Sequence, residues 1–155
     1  MKAPREQVFQ AWTDYQVWPV FSRLYSRVKV LERIGNVARM ETDVRVRHGH
    51  LVGIDHPRGR MAKRSEQHVI APPQQVEVTA DTEGAISSSV WKFEPIADGT
   101  MVTADVYAPV RGLTILVGTL ARRELQSLLE KELHAFATHV EAMQSNWRSG
   151  SASLS

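Results

Sequence analysis

The hydrophobic period of this chain changes once, and that change constrains the fold more than any single residue does. From about Ser26 to Pro109 apolar residues alternate with polar ones; from about Gly112 to Gln144 they recur every three or four positions. Ala38, Met40, Thr42, Val44 and Val46 share one face of a strand whose other face carries Arg39, Glu41, Asp43, Arg45 and Arg47. Val28 and Val30, then Val76, Val78 and Ala80, then Ser89, Trp91 and Phe93, then Val102, Ala104 and Val106 repeat the pattern. Gly35–Asn36, Pro72–Pro73, Glu83–Gly84 and Asp98–Gly99 punctuate it as turns. Leu113, Leu116, Leu120, Leu125, Leu128, Leu129, Leu133, Phe136, Val140 and Met143 stripe the helix that follows. A meander of half-buried antiparallel strands must cover its apolar face, and the single long helix is the available cover. The expected class is therefore α+β, with a cavity wherever sheet and helix do not meet.

Two short helices precede the strands. Pro4 starts the first, with Val8, Phe9 and Trp12 at helical spacing, and Asp14 caps the second, which holds Val17 and Trp18 and bends at Pro19. A length of 155 residues suits one domain, read as 1–144, with a flexible Ser-rich tail at 145–155. Cysteine is absent, which removes thiolate chemistry, disulfides and Cys-based metal sites and suits a cytoplasmic location. No apolar run is long enough to span a membrane as a helix, and no basic-then-apolar leader follows Met1. The net charge of +2 makes nucleic acid an unlikely partner, although residues 1–70 carry thirteen basic and seven acidic side chains.

Ala3-Pro4-Arg5-Glu6-Gln7-Val8-Phe9, Trp12-Thr13-Asp14 and Trp18-Pro19 together resemble the opening of START-like helix-grip proteins, the SRPBCC superfamily. Trp91-Lys92-Phe93-Glu94-Pro95 with Asp98-Gly99-Thr100 resembles that superfamily's penultimate hairpin. The polyketide cyclase/dehydrase and coenzyme-Q-binding branches are the nearest in pattern. The resemblance implies a curved antiparallel sheet wrapped around the C-terminal helix and a pocket for a hydrophobic or aromatic small molecule: a lipid, a polyketide or a quinone-like compound. It also implies a first strand ahead of Ala3, where this chain has only Met1 and Lys2. Missing upstream residues, a start placed too late and an open sheet edge are the three readings, and the protein is then a monomer or a homodimer paired through that edge.

By strand parity the pocket wall comprises Met40, Val44, Val78, Trp91 and Phe93, with Trp12, Phe21, Leu116 and Leu120 approaching from the helices. Ordinary core packing explains the same residues. For the polar strand 61–70, Met61 and Val69 suggest that odd positions face inward, which puts Lys63, Ser65 and Gln67 in the cavity. The opposite parity places Arg64, Glu66 and His68 there instead. Aromatic cyclases of the resembled family use an inward Arg to bind enolate oxygens. Gln67 falls at the matching place, a departure that weakens the enzyme reading, under which Ser65, Gln67 and Tyr107 would assist enolisation and dehydration.

His48, His50 and His56 form the one metal-like cluster, in a Gly- and Pro-containing loop that fits solvent exposure better, so neither metal nor cofactor is expected. Arg45, Arg47, Arg58, Arg60, Lys63 and Arg64 could present a basic surface to a protein or RNA. No nucleophile elbow or phosphate loop is present. The sequence thus favours a binder of a hydrophobic small molecule, with an aromatase/cyclase and an Arg-rich partner-binding module as the alternatives.

Overall fold

The computed structural model describes residues 1–45, 61–107 and 115–151. Helix α1 (Arg5–Thr13) leads through a 3-10 turn at Tyr15–Val17 into the short α2 (Trp18–Phe21). Six strands follow: β1 (Tyr25–Ile34), β2 (Val37–Arg45), β3 (Met61–Ala71), β4 (Gln75–Thr82), β5 (Ala85–Ile96) and β6 (Gly99–Tyr107). Helix α3 (Ile115–Ser151) completes the order. The strands form one antiparallel sheet in sequence order, β1 to β6. This is the α+β class that the change of period implies, in the helix-grip order that the resemblance implies.

Tight turns set the register. Ile34 pairs with Val37 across Gly35–Asn36, and Thr82 pairs with Ala85 across Glu83–Gly84, where both turn residues have positive φ. Both are the hairpin signals expected from the sequence. Register shifts between Tyr25 and Arg27 and between Val30 and Glu32 bend β1 and blunt it as an edge. At the other edge Met1 exchanges two 2.9 Å backbone hydrogen bonds with Thr100, and the Thr100 hydroxyl donates to the Ala3 carbonyl at 2.7 Å. Gly99 permits this approach, since a Cβ there would collide with the Met1 carbonyl.

Helix α3 does not stop at Gln144. Residues 145–151, read from composition as the start of a flexible tail, continue it, because no Gly or Pro falls between Gln144 and Gly150 and each further residue adds a backbone bond. Phe136 and Val140 from its middle enter the core beside Val8, Trp12, Met40 and Phe93, and Leu129 and Leu133 pack against that cluster. One polar clamp ties α3 to the first corner of the chain. The Glu132 carboxylate accepts hydrogen bonds from the Ser22 hydroxyl and from the backbone N–H groups of Arg23 and Leu24. The Ser22 oxygen accepts in turn from the Leu24 and Tyr25 N–H groups, both at 3.0 Å. Glu132→Ala is expected to lower unfolding free energy by about 2 kcal/mol, since charged hydrogen bonds to otherwise unmatched donors are lost. Urea denaturation measures this.

Candidate ligand site

The inward face of the sheet divides into two chemically different halves. One half, under α1, α2 and the middle of α3, is filled with rings. Trp12 lies 4.4 Å from Trp91, 5.1 Å from Phe136 and 5.2 Å from Trp18, centroid to centroid. Phe9 meets Phe93 edge-on, and Phe21 tilts against Phe136. Met40 and Val78 belong to the same buried cluster. Five of the expected pocket residues, Trp12, Met40, Val78, Trp91 and Phe93, therefore sit in close-packed core, and Phe21 flanks it. Such packing leaves little room for a guest at that end. Val44 stands apart in a small cluster with Ala62, against Leu24 and Tyr25. Leu116 and Leu120 lie on α3 with side chains outside the described residues.

Toward the other end of the sheet the inward positions become small or polar. Thr42, Arg64 and Thr82 stand side by side on β2, β3 and β4, and Ala80 and Ser87 pair across β4 and β5. Ala62, Thr42, Ala80, Thr82 and Ser87 are all buried. Their side chains fill far less volume than the indoles and phenyls of the opposite half.

Strand β3 corrects the expected parity. Ala62, Glu66, His68 and Ile70 are buried and Arg64 faces the same way, whereas Lys63, Ser65 and Gln67 are exposed on the outer face. The turn at residues 72–74 explains this. Ala71 pairs with Gln75 and Ile70 with Val76, so β3 inherits the parity of β4, whose inward Val76, Val78 and Ala80 are unambiguous. Apolar residues occur on both parities of β3 itself, so its own composition misleads. Tyr107 is 69% exposed at the end of β6 and does not join a catalytic group with Ser65 and Gln67.

Glu66 is the centre of what the corrected parity brings inside. Its side chain is fully buried; Oε1 lies 3.1 Å from Arg64 Nε and accepts from the Thr42 hydroxyl at 3.2 Å, and Oε2 lies 2.8 Å from His68 Nε2. The Arg64 N–H does not align on Oε1 (Nε has no geometrically sound hydrogen bond), so that contact is chiefly Coulombic. The Tyr25 hydroxyl favours the charged form of the same carboxylate. Burial pushes the Glu66 carboxyl toward protonation, yet Arg64, His68 and Tyr25 outweigh it and hold the group below the ordinary carboxylate value. Burial opposes the Arg64 charge, but Tyr25 and Glu66 raise its affinity for its proton. Burial, reinforced by Glu66, drives the Tyr25 hydroxyl well above its ordinary range. Burial also pushes Tyr15 up to about 12.

Among the described residues, Tyr15 Oη, His68 Nδ1 and Thr82 Oγ1 are buried without a hydrogen-bond partner. Tyr15 packs edge-on to His68 at 4.9 Å and Trp18 covers the same ring at 5.7 Å.

Of the basic run, Arg45 and Lys63 are exposed. Arg64 points inward, while on the outer face Arg39 lies 3.4 Å from Glu32 and Arg27 lies 3.9 Å from Asp43. Arg47, Arg58, Arg60 and the histidines 48, 50 and 56 lie outside the described residues. Among the described residues no three acidic or imidazole side chains group as metal ligands. A separate groove of about 440 Å³ runs between α1 and α3, bordered by Gln7, Asp14, Arg33, Met143 and Gln144.

Residues 1–131 match the family model for polyketide cyclase / dehydrase and lipid transport. Among solved structures, the protein TTHA0849 from Thermus thermophilus is similar at TM-score 0.72 and 17% identity, over 92% of this chain and 93% of that one. The Zhui aromatase/cyclase from Streptomyces sp. R1128 is similar at TM-score 0.64 and 16% identity, over 90% and 88%. A STAR-related lipid transfer protein fragment from Xanthomonas axonopodis is similar at TM-score 0.59 and 15% identity, over 91% and 81%. No curated protein is matched by the sequence. At these identities the structural likeness is one of fold.

The buried carboxylate sets a pH dependence. A native value below the unfolded one means that Glu66 contributes stability above the ordinary carboxylate range and loses it as pH falls through the lowered native value. Glu66→Ala should cost about 3 kcal/mol or more near neutrality, because Arg64 is left buried without its counter-charge. That difference should shrink in acid, and chemical denaturation across pH measures both.

Proposed function

The chain belongs to the polyketide cyclase / dehydrase and lipid transport family, and we propose that it binds a hydrophobic or aromatic small molecule between the sheet and α3, with the ligand's polar end at Arg64. The observation that carries this reading is the exposure of Arg64. It sits on the inward face between two buried threonines, yet 16% of its side chain remains accessible, which supports access to the guanidinium for a ligand's polar end. Apolar walls supply affinity in such sites and a few polar groups orient the guest. Here the walls are Val44, Ala62 and the near rim of the aromatic cluster, and Thr82 offers a hydroxyl without a protein partner. Lipid, polyketide and quinone-like compounds share this amphiphilic form.

A cyclase is the second reading, and the corrected parity favours it. An inward Arg with Tyr25 beside it is what stabilising an enolate oxygen requires, and Ser65, Gln67 and Tyr107 give way to Arg64 as the charged group. Against it, Glu66 already neutralises that charge. The lack of cysteine supports action in the cytoplasm, and the mixed charges of the outer sheet face support a small-molecule ligand over nucleic acid. No described helix is long and apolar enough to cross a membrane.

Thermal denaturation with aliphatic, polycyclic aromatic and quinone compounds tests the binding reading. A ligand at a hundred times its Kd should stabilise the protein by about 2.7 kcal/mol. Thr82→Trp should abolish the shift by filling the space beside Arg64 without touching the aromatic core. Indifference of the wild-type protein to all three classes would contradict the proposal.

A further inference from the structure

We propose that when the site binds an amphiphile with an anionic head it takes up a proton on the Glu66–His68 pair. This rests on the ligand-binding reading and adds to it the head-group charge and its coupling to pH. Arg64 and Glu66 are one cation and one anion, buried 3.1 Å apart. A carboxylate or other oxyanion arriving at Arg64 leaves two negative groups sharing one positive group in a low-dielectric interior, which is strongly unfavourable. His68 is placed to restore the balance. Its Nε2 lies 2.8 Å from Glu66 Oε2, the oxygen that Arg64 does not approach, and its ring is fully buried. One proton drawn from solvent onto this pair brings the four groups, with the anion, back to zero net charge. A neutral head leaves the balance as it was and draws no proton.

The surroundings leave this role to the pair. His68 is paired with Ala38 on β2 and Val78 on β4, neither of which titrates. The 3-10 turn presents Tyr15 and α2 presents Trp18. Tyr25 of β1 stays protonated near neutral pH, held so by burial and by the charge of Glu66. Arg33 acts on Tyr15 and Glu132 of α3 acts on Tyr25, each one residue removed from the pair. The unpartnered Nδ1 of His68 is the second ring nitrogen, so the imidazole can hold a proton there while Nε2–H keeps its bond to Glu66.

Dodecanoate and dodecanol, which share a chain and differ in head charge, separate the possibilities. Each is titrated calorimetrically near neutral pH in phosphate and in Tris, whose ionisation enthalpies differ. The wild-type protein should take up about one proton per dodecanoate bound, with Kd weakening about tenfold per pH unit as pH rises through the range where the pair titrates. Dodecanol should bind with no uptake. Glu66→Gln should bind dodecanoate without uptake, because Arg64 then has no anion to share. Should that variant not fold, the His68 imidazole nitrogen shifts of the wild-type protein decide, moving to imidazolium values with dodecanoate and not with dodecanol. Dodecanoate binding without proton uptake, or uptake that persists in Glu66→Gln, overturns the inference and leaves the binding reading standing. Dodecanol binding alone does the same. Failure of both amphiphiles to bind defeats the binding reading and the inference with it.

Discussion

A carboxylate sealed inside a sheet-and-helix interior needs several partners at once, and the placement of Glu66 organises much of this molecule. Arg64, His68, Thr42 and Tyr25 converge on it from three strands. Taking any one away leaves charge or a donor unmatched in low dielectric, where the penalty exceeds that of a lost surface ion pair. The network therefore pins β1, β2 and β3 in one register. It also places the single inward guanidinium among the described residues beside the small side chains of the site.

That network marks the border between two kinds of interior. On one side Trp12, Trp18, Trp91, Phe93 and Phe136 pack ring against ring and give the fold its stability. On the other, Thr42, Ala62, Ala80, Thr82 and Ser87 replace them with side chains too small to reach α3 in the same way. The Glu132 clamp fits this division, holding α3 at the α2–β1 corner by polar bonds.

Much of this was legible in the residues. Period-2 alternation placed the strands, Gly35–Asn36 and Glu83–Gly84 placed two hairpins, and the Leu stripe placed the covering helix. The inward parity of β4 followed from Val76, Val78 and Ala80 sharing one side, and those of β2 and β5 from Ala38, Met40 and Val44 and from Trp91 and Phe93 doing the same. Strand β3 resisted because its inward positions hold Arg64, Glu66 and His68, residues that a hydrophobicity count assigns to solvent. Its parity is instead set by a neighbour, through the short turn after Ala71 and the clear alternation of β4. The expected pocket residues erred in a related way. Parity identifies which side chains face inward but not which of them touch one another, so core and cavity wall look alike until the rings are placed. Nothing in the spacing of Glu132 or Ser22 announces a contact 110 residues apart in sequence.

A double-mutant cycle between Arg64→Met and Glu66→Leu measures the central interaction most directly. Each single change is expected to be costly, because it strands the partner's charge, and the double change to cost far less than their sum. The expected coupling is about 3 kcal/mol or more by chemical denaturation. Additivity of the two changes to within about 0.5 kcal/mol would contradict a buried charge network centred on Glu66.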